Sequence, residues 1–182
     1  MNKTDLSKYK KNHHSSGSII SRLSWYFINI IFFKSSLIPL NKLKVFLLRF
    51  FGASVGKGVV VKPCVNIKYP WNLEIGNYVW LGENVWIDNL DKVTILDHSC
   101  ISQGATLLCG NHDYFSSSFD LITQPITLEQ GAWIGVNSTV CPGINIGSHA
   151  VLSAGSVATK DLEPYAIYQG NPACKVRKRI IS

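Results

Sequence analysis

Aliphatic residues recur every six positions through most of this chain, and that period constrains the fold more than any other feature. The ladder reads Val55, Val61, Ile67; Ile75, Leu81, Ile87; Ile95, Ile101, Leu107; then Leu128, Ile134, Val140, Ile146 and Leu152. A helix returns its apolar face about every 3.6 residues and a half-buried strand alternates with a period of about two, so neither produces this spacing. Short strands joined by turns, three to a coil, do produce it when the coils stack with the aliphatic residues in register. The predicted fold is an all-β solenoid with parallel coils, and the fourteen hexads make between four and five of them. The fifth place of the hexad is also small or aliphatic (Val79, Val85, Ser99, Ala105, Ala132, Ser138, Ala150, Ser156), which predicts a second inward position. Glycine is frequent at the second place, as in Gly56, Gly76, Gly82, Gly135 and Gly147, where a corner needs a positive φ or close packing.

Four segments follow. Residues 1–18, rich in Lys, His and Ser, read as a flexible leader. Residues 19–51 read as a helical cap of two short helices separated by Pro39. Residues 52–160 hold the repeat, interrupted by a protruding polar loop at 113–127, and residues 161–182 form a C-terminal tail. A chain of 182 residues with 46% hydrophobic and 16% charged residues supports one folded domain. The five cysteines are odd in number and contain no Cys-x-x-Cys pair, which points away from a disulfide framework or structural zinc and towards a reducing cytoplasm. No cleavable signal peptide is visible, and the apolar stretch Leu23 to Phe33 has only eleven residues, too few to span a bilayer.

The net charge of +7 is unevenly distributed. Residues 1–68 carry twelve Lys and Arg against one acid, residues 69–174 two against ten, and residues 175–182 four against none. Positive charge at the two ends of an acidic body does not make a nucleic-acid interface, so no nucleic-acid partner is expected.

Ordered motifs add to the repeat. The stretches Trp133-Ile134-Gly135, Pro142-Gly143-Ile144-Asn145-Ile146-Gly147, Ala154-Gly155-Ser156-Val157-Ala158-Thr159-Lys160-Asp161 and Gly170-Asn171-Pro172-Ala173 resemble the C-terminal signature of the galactoside and maltose O-acetyltransferases, a group of hexapeptide-repeat acyltransferases. Within that family, Arg49-Phe50-Phe51-Gly52, Pro70-Trp71-Asn72-Leu73 and Gly110-Asn111-His112-Asp113-Tyr114 look most similar to colanic acid biosynthesis acetyltransferases. The resemblance covers about residues 20 to 180. It implies a left-handed β-helix, a homotrimer and acetyl-CoA as donor, and no metal is expected from the cysteine and histidine spacing. Handedness rests on the resemblance alone, because it runs against the usual right-handed crossover.

Acetyl transfer to a hydroxyl needs a base for the hydroxyl proton and donors for the oxyanion. His13 and His14 lie in the leader, and His98 and His149 occupy the outward fourth slot of a hexad, leaving His112 at the mouth of the loop. By resemblance His112 is the catalytic base, Asp88 is a candidate for orienting it, and Asn111, Asp113 and Tyr114 border the acceptor. The resemblance likewise assigns cofactor binding to Trp133, to backbone amides near Gly135 and Ala154, and to Thr159, Lys160 and Arg177. Cys174 stands where the family usually has a basic residue, with Lys175 as a substitute. Against these roles stand blander ones: Trp133 as packing at a subunit interface, Asp88 and Asp113 as solvated corner carboxylates, and the last basic residues as a solvated tail.

The expected function is acetyl transfer from acetyl-CoA to a hydroxyl of a saccharide in exopolysaccharide, capsule or O-antigen assembly, without a covalent intermediate. A small acceptor such as serine or an antibiotic is the alternative, followed by a non-catalytic structural solenoid. A carbonic anhydrase would need three converging histidines, and His112 has no second histidine near it. Residues 19–51, with Trp25-Tyr26-Phe27 and Ile30 to Phe33 flanked by Lys and Arg, are read as a lid on the solenoid's open end. The alternative is peripheral contact with an anionic membrane surface, where lipid-linked saccharides are assembled.

Overall fold

The structure, a computed structural model, describes residues 3–10 and 17–181. It is a left-handed parallel β-helix. One face stacks Ser54–Val55, Leu73–Ile75, Val93–Ile95, Ile126–Leu128 and Asn145–Ile146, and a second stacks Asn66–Ile67, Trp86–Asp88, Thr106–Leu108, Thr139–Val140 and Val157–Ala158. The third face has seven strands, running from Val60–Val61 to Ala166–Gly170 and Ala173–Lys178. Register follows the six-residue ladder, with Val55 opposite Ile75, Ile75 opposite Ile95, Ile95 opposite Leu128 and Leu128 opposite Ile146. The ladder residues are buried, and so are the fifth-place residues, with Val79, Ala105, Ala132 and Ser138 all at 0% exposure. Five coils are complete and a sixth begins at Leu162, which bridges to Ile146. The segment read as a tail therefore continues the solenoid.

The glycines divide differently from the expectation. Positive φ falls on the fourth place of the hexad, at Gly58, Tyr78, His98, Gly131, His149 and Tyr165 along one corner. These residues form a column in which Tyr78 stacks on His98 and His149 on Tyr165, with ring centroids 5.2 and 4.8 Å apart. Second-place glycines have ordinary φ and serve close packing instead. A Cβ on Gly135 would lie 2.6 Å from the Ala154 nitrogen of the next coil.

A parallel solenoid leaves the backbone of its first coil unpaired, and buried polar groups need partners. Two helices supply them here. Helix α1 (Ile19–Ile28) continues as a π-turn to Phe33, and α2 spans Asn41–Phe50. Trp25 Nε1 donates to the Ile67 carbonyl at 2.8 Å, Arg49 Nη2 to that of Val55 at 2.7 Å, and Asn41 accepts from Val61 N at 2.7 Å. Lys44, fully buried, donates to the Lys62 carbonyl at 3.0 Å, and burial lowers its pKa. Trp25, Phe33, Leu47 and Leu48 join the core beneath.

The segment read as a loop at 113–127 is partly strand. Gly110–His112 pairs antiparallel with Leu121–Thr123, a hairpin that leaves the second face after Leu108 and returns to the ladder at Ile126. Of the leader, residues 3–10 rest on the hairpin tip: Asp5 N donates to the Ser117 carbonyl and Lys10 N to Asp120 Oδ1, both at 2.8 Å. His13 and His14 lie outside the described residues.

Candidate active site

His112 ends the first strand of the hairpin, opposite Leu121. Its ring lies flat on Phe119, with centroids 4.4 Å apart and planes 4° apart, and Tyr9 approaches from the leader at 6.1 Å. Nδ1 is 2.9 Å from the Phe119 carbonyl oxygen. A carbonyl only accepts, so Nδ1 carries a proton, and in the neutral imidazole the lone pair is then on Nε2. Phe119 holds a left-handed φ of 52°, which turns its carbonyl back towards the imidazole across the tip. The ring is thus fixed in plane and in tautomer by one residue, the arrangement a general base requires.

The carboxylates expected around His112 are used elsewhere. Asp88 is the correction: its Oδ1 lies 2.8 Å from Lys68 Nζ, and the orienting acceptor is the Phe119 carbonyl. Sequence reasoning missed this because a carbonyl carries no residue-type signal. Asp113 Oδ1 accepts from Phe115 N at 3.1 Å and Ser116 N at 3.3 Å, closing the turn at the tip. Asn111 Oδ1 takes the His112 backbone N–H at 2.8 Å, and Tyr114 is exposed beside Phe115. Cys109, two residues past Leu107, is fully buried, and burial pushes its thiol up to about 12, too high for a thiolate nucleophile.

The residues assigned to the cofactor sit on other faces. Trp133, 46% exposed, donates from Nε1 to Ser102 Oγ at 2.9 Å. Gly135 corrects the sequence reading: its amide is already spent on the Leu152 carbonyl at 2.7 Å, so it packs coils and has no N–H to offer. Ala154 beside it is exposed, as are Thr159, Lys160 and Arg177. Lys175 is ion-paired with Glu163, which weakens it as the stand-in for Cys174, whereas Arg177 forms no ion pair among the described residues. An exposed indole, an exposed turn at Ala154 and exposed cations fit a long anionic thioester ligand. Among the described residues no hydrogen bond or ring contact joins His112 to Trp133, and no group of three His, Cys, Asp or Glu side chains is placed to hold a metal ion.

A family model described as the hexapeptide repeat of succinyl-transferase matches residues 125–160. The chain is 38% identical, over 90% of both lengths, to the Escherichia coli K12 protein provisionally named colanic acid biosynthesis acetyltransferase WcaF. The structure of a galactoside acetyltransferase in complex with coenzyme A superposes with a TM-score of 0.78 at 29% identity, covering 87% of this chain and 80% of that one. A hexapeptide-repeat acetyltransferase of Vibrio cholerae complexed with acetyl coenzyme A shares the fold with a TM-score of 0.81 at 23% identity, covering 96% and 97%.

Proposed function

The chain belongs to the hexapeptide-repeat acetyltransferases and uses acetyl-CoA, and from that premise we propose that it acetylates a hydroxyl of a saccharide during exopolysaccharide, capsule or O-antigen assembly. The observation that carries this reading is the Nδ1 hydrogen bond of His112 to the Phe119 carbonyl, which leaves Nε2 as an oriented base. Nε2 takes the proton of the acceptor hydroxyl as its oxygen bonds to the acetyl carbonyl carbon. The carbon–sulfur bond then breaks, and the imidazolium returns the proton to the departing thiolate. Trp133, the Ala154 edge, Thr159, Lys160 and Arg177 hold the donor, and Asn111 and Tyr114 border the acceptor.

The chain works as a homotrimer in the cytoplasm. His112 stands on a hairpin and the donor-binding residues on another face, so the imidazole of one subunit meets the thioester held against its neighbour. The exposed apolar face of α1 adds peripheral contact with an anionic membrane surface, which suits a lipid-linked acceptor.

The test is His112→Ala with acetyl-CoA and a panel of saccharides, read by mass spectrometry. We expect acetyl transfer to fall by about 10²–10⁴-fold while trimer mass and acetyl-CoA affinity are kept. Near-native turnover would remove His112 from the chemistry. Acetylation of serine or chloramphenicol in preference to every saccharide would replace the acceptor class.

A further inference from the structure

A groove of about 510 Å³ runs between α1 and the second face of the first two coils, a volume within the range of small-ligand sites. Two side-chain atoms lining it, Arg22 Nε and Asn29 Oδ1, are buried and have no hydrogen-bond partner among the described residues. Folded proteins keep few such atoms, and two around one groove mark a place where a ligand supplies the partners. Asn29 is 8% exposed and its Nδ2 donates to Asn66 Oδ1 at 2.7 Å, which fixes the amide and leaves Oδ1 as an acceptor. Asp88 is 9% exposed, and its Oδ1 is paired with the Lys68 ammonium at 2.8 Å.

One unpaired acceptor and one unpaired donor match a group that both donates and accepts, which is a hydroxyl. Trp86, 43% exposed, offers an aromatic wall on which the C–H face of a pyranose can rest. Asp88 is the one carboxylate lining the groove and is taken by Lys68, whereas Arg22 and Lys34 form no ion pair among the described residues. Cations without a paired carboxylate in the lining favour an anion. Asp88 also links the groove to the catalytic hairpin. Its Oδ2 lies 3.8 Å from where a Cβ on Gly110 would stand, and Gly110 is two residues before His112.

We propose that this groove binds an anionic saccharide, with a ring hydroxyl on Asn29 and the charged substituent on Arg22. The inference rests on the saccharide-acceptor reading and names its acceptor as acidic. A carboxylate on the sugar and a phosphate linked to it are the same chemistry at this site, and the probes separate them.

Saturation-transfer NMR on the full chain, without acetyl-CoA, compares methyl glucuronide, a hexose monophosphate and methyl glucoside. We expect one anionic probe to bind at least about tenfold tighter than the neutral one, and the stronger of the two identifies the source of the charge. Arg22→Gln should erase that preference, Arg22→Lys should restore part of it, and Trp86→Ala should abolish binding of all three. Unchanged acetyl-CoA affinity shows that the variants are folded. No saturation transfer, equal binding of all three probes, or binding indifferent to Arg22→Gln and Trp86→Ala would overturn the inference. The two readings fail separately. Binding in the groove without acetyl transfer to any saccharide sinks the proposed function alone, and saccharide acetylation with an unchanged KM in both variants sinks the groove alone.

Discussion

His112 is held by a main-chain carbonyl and a stacked ring, so its neighbours can be changed without disturbing its tautomer. The fully buried Cys109 gives the sharpest check on the route of transfer. With its thiol pushed up to about 12 by burial, it stays protonated at neutral pH and cannot carry the acetyl group. Cys109→Ala is expected to keep kcat within about twofold, and a loss of several orders of magnitude would restore an acyl-enzyme route. In the native protein a thiol reagent should modify the exposed Cys174 and spare Cys109 until unfolding. At this scale the sequence pointed to His112 by its place at the mouth of the loop and by its motif's resemblance to the family, and it offered Asp88 only as a candidate for the orienting group. Asp88 is a residue type that orients imidazoles, whereas Phe119 acts through a carbonyl that every residue possesses, aimed by a left-handed φ that no motif marks.

The coil was the most legible element, because its period of six appears in residues that each bury a side chain. What the period did not reveal was which hexad place takes the left-handed corner. Tyr78, His98, His149 and Tyr165 occupy it as non-glycines, at a conformational cost that ring stacking along the column offsets. The second-place glycines can be tested against this division. Gly135→Ala puts a Cβ within 2.6 Å of one backbone atom and 2.7 Å of another, neither able to yield, and should cost about 1–3 kcal/mol. Gly155 has a φ of 66° but nothing within 4 Å of its Cβ position, so Gly155→Asn should cost well under about 1 kcal/mol. Thermal unfolding of the two variants checks the order, and a larger loss in Gly155→Asn would refute the packing role. The hairpin was read as a loop because Gly110 to His112 and Leu121 to Thr123 pair only with each other, outside the ladder, over three residues each.

Across the whole molecule the helices bear on two readings that the sequence set against each other. Their inner side, through Trp25, Phe33, Leu47 and Leu48, covers the first coil, while Ile20, Leu23, Tyr26 and Phe27 of α1 and Ile31 of the π-turn remain between 49% and 77% exposed. No helix among the described residues is long and apolar enough to cross a membrane. An apolar stripe among lysines and arginines suits an interfacial position instead. The chain should float with vesicles containing phosphatidylglycerol at moderate salt, and the double variant Ile20→Glu, Phe27→Glu should not. A native chain that stays at the bottom of the gradient removes the membrane contact and leaves the cap alone. At the other end of the solenoid, Ala173–Lys178 folds back antiparallel on the last strand and presents Lys175, Arg177 and Lys178 along its edge. Repeating coils are a natural template for fibres, since each offers the next a bare edge. With helices seated on one end and a charged return strand on the other, both tips among the described residues carry features that oppose the end-to-end growth of a filament.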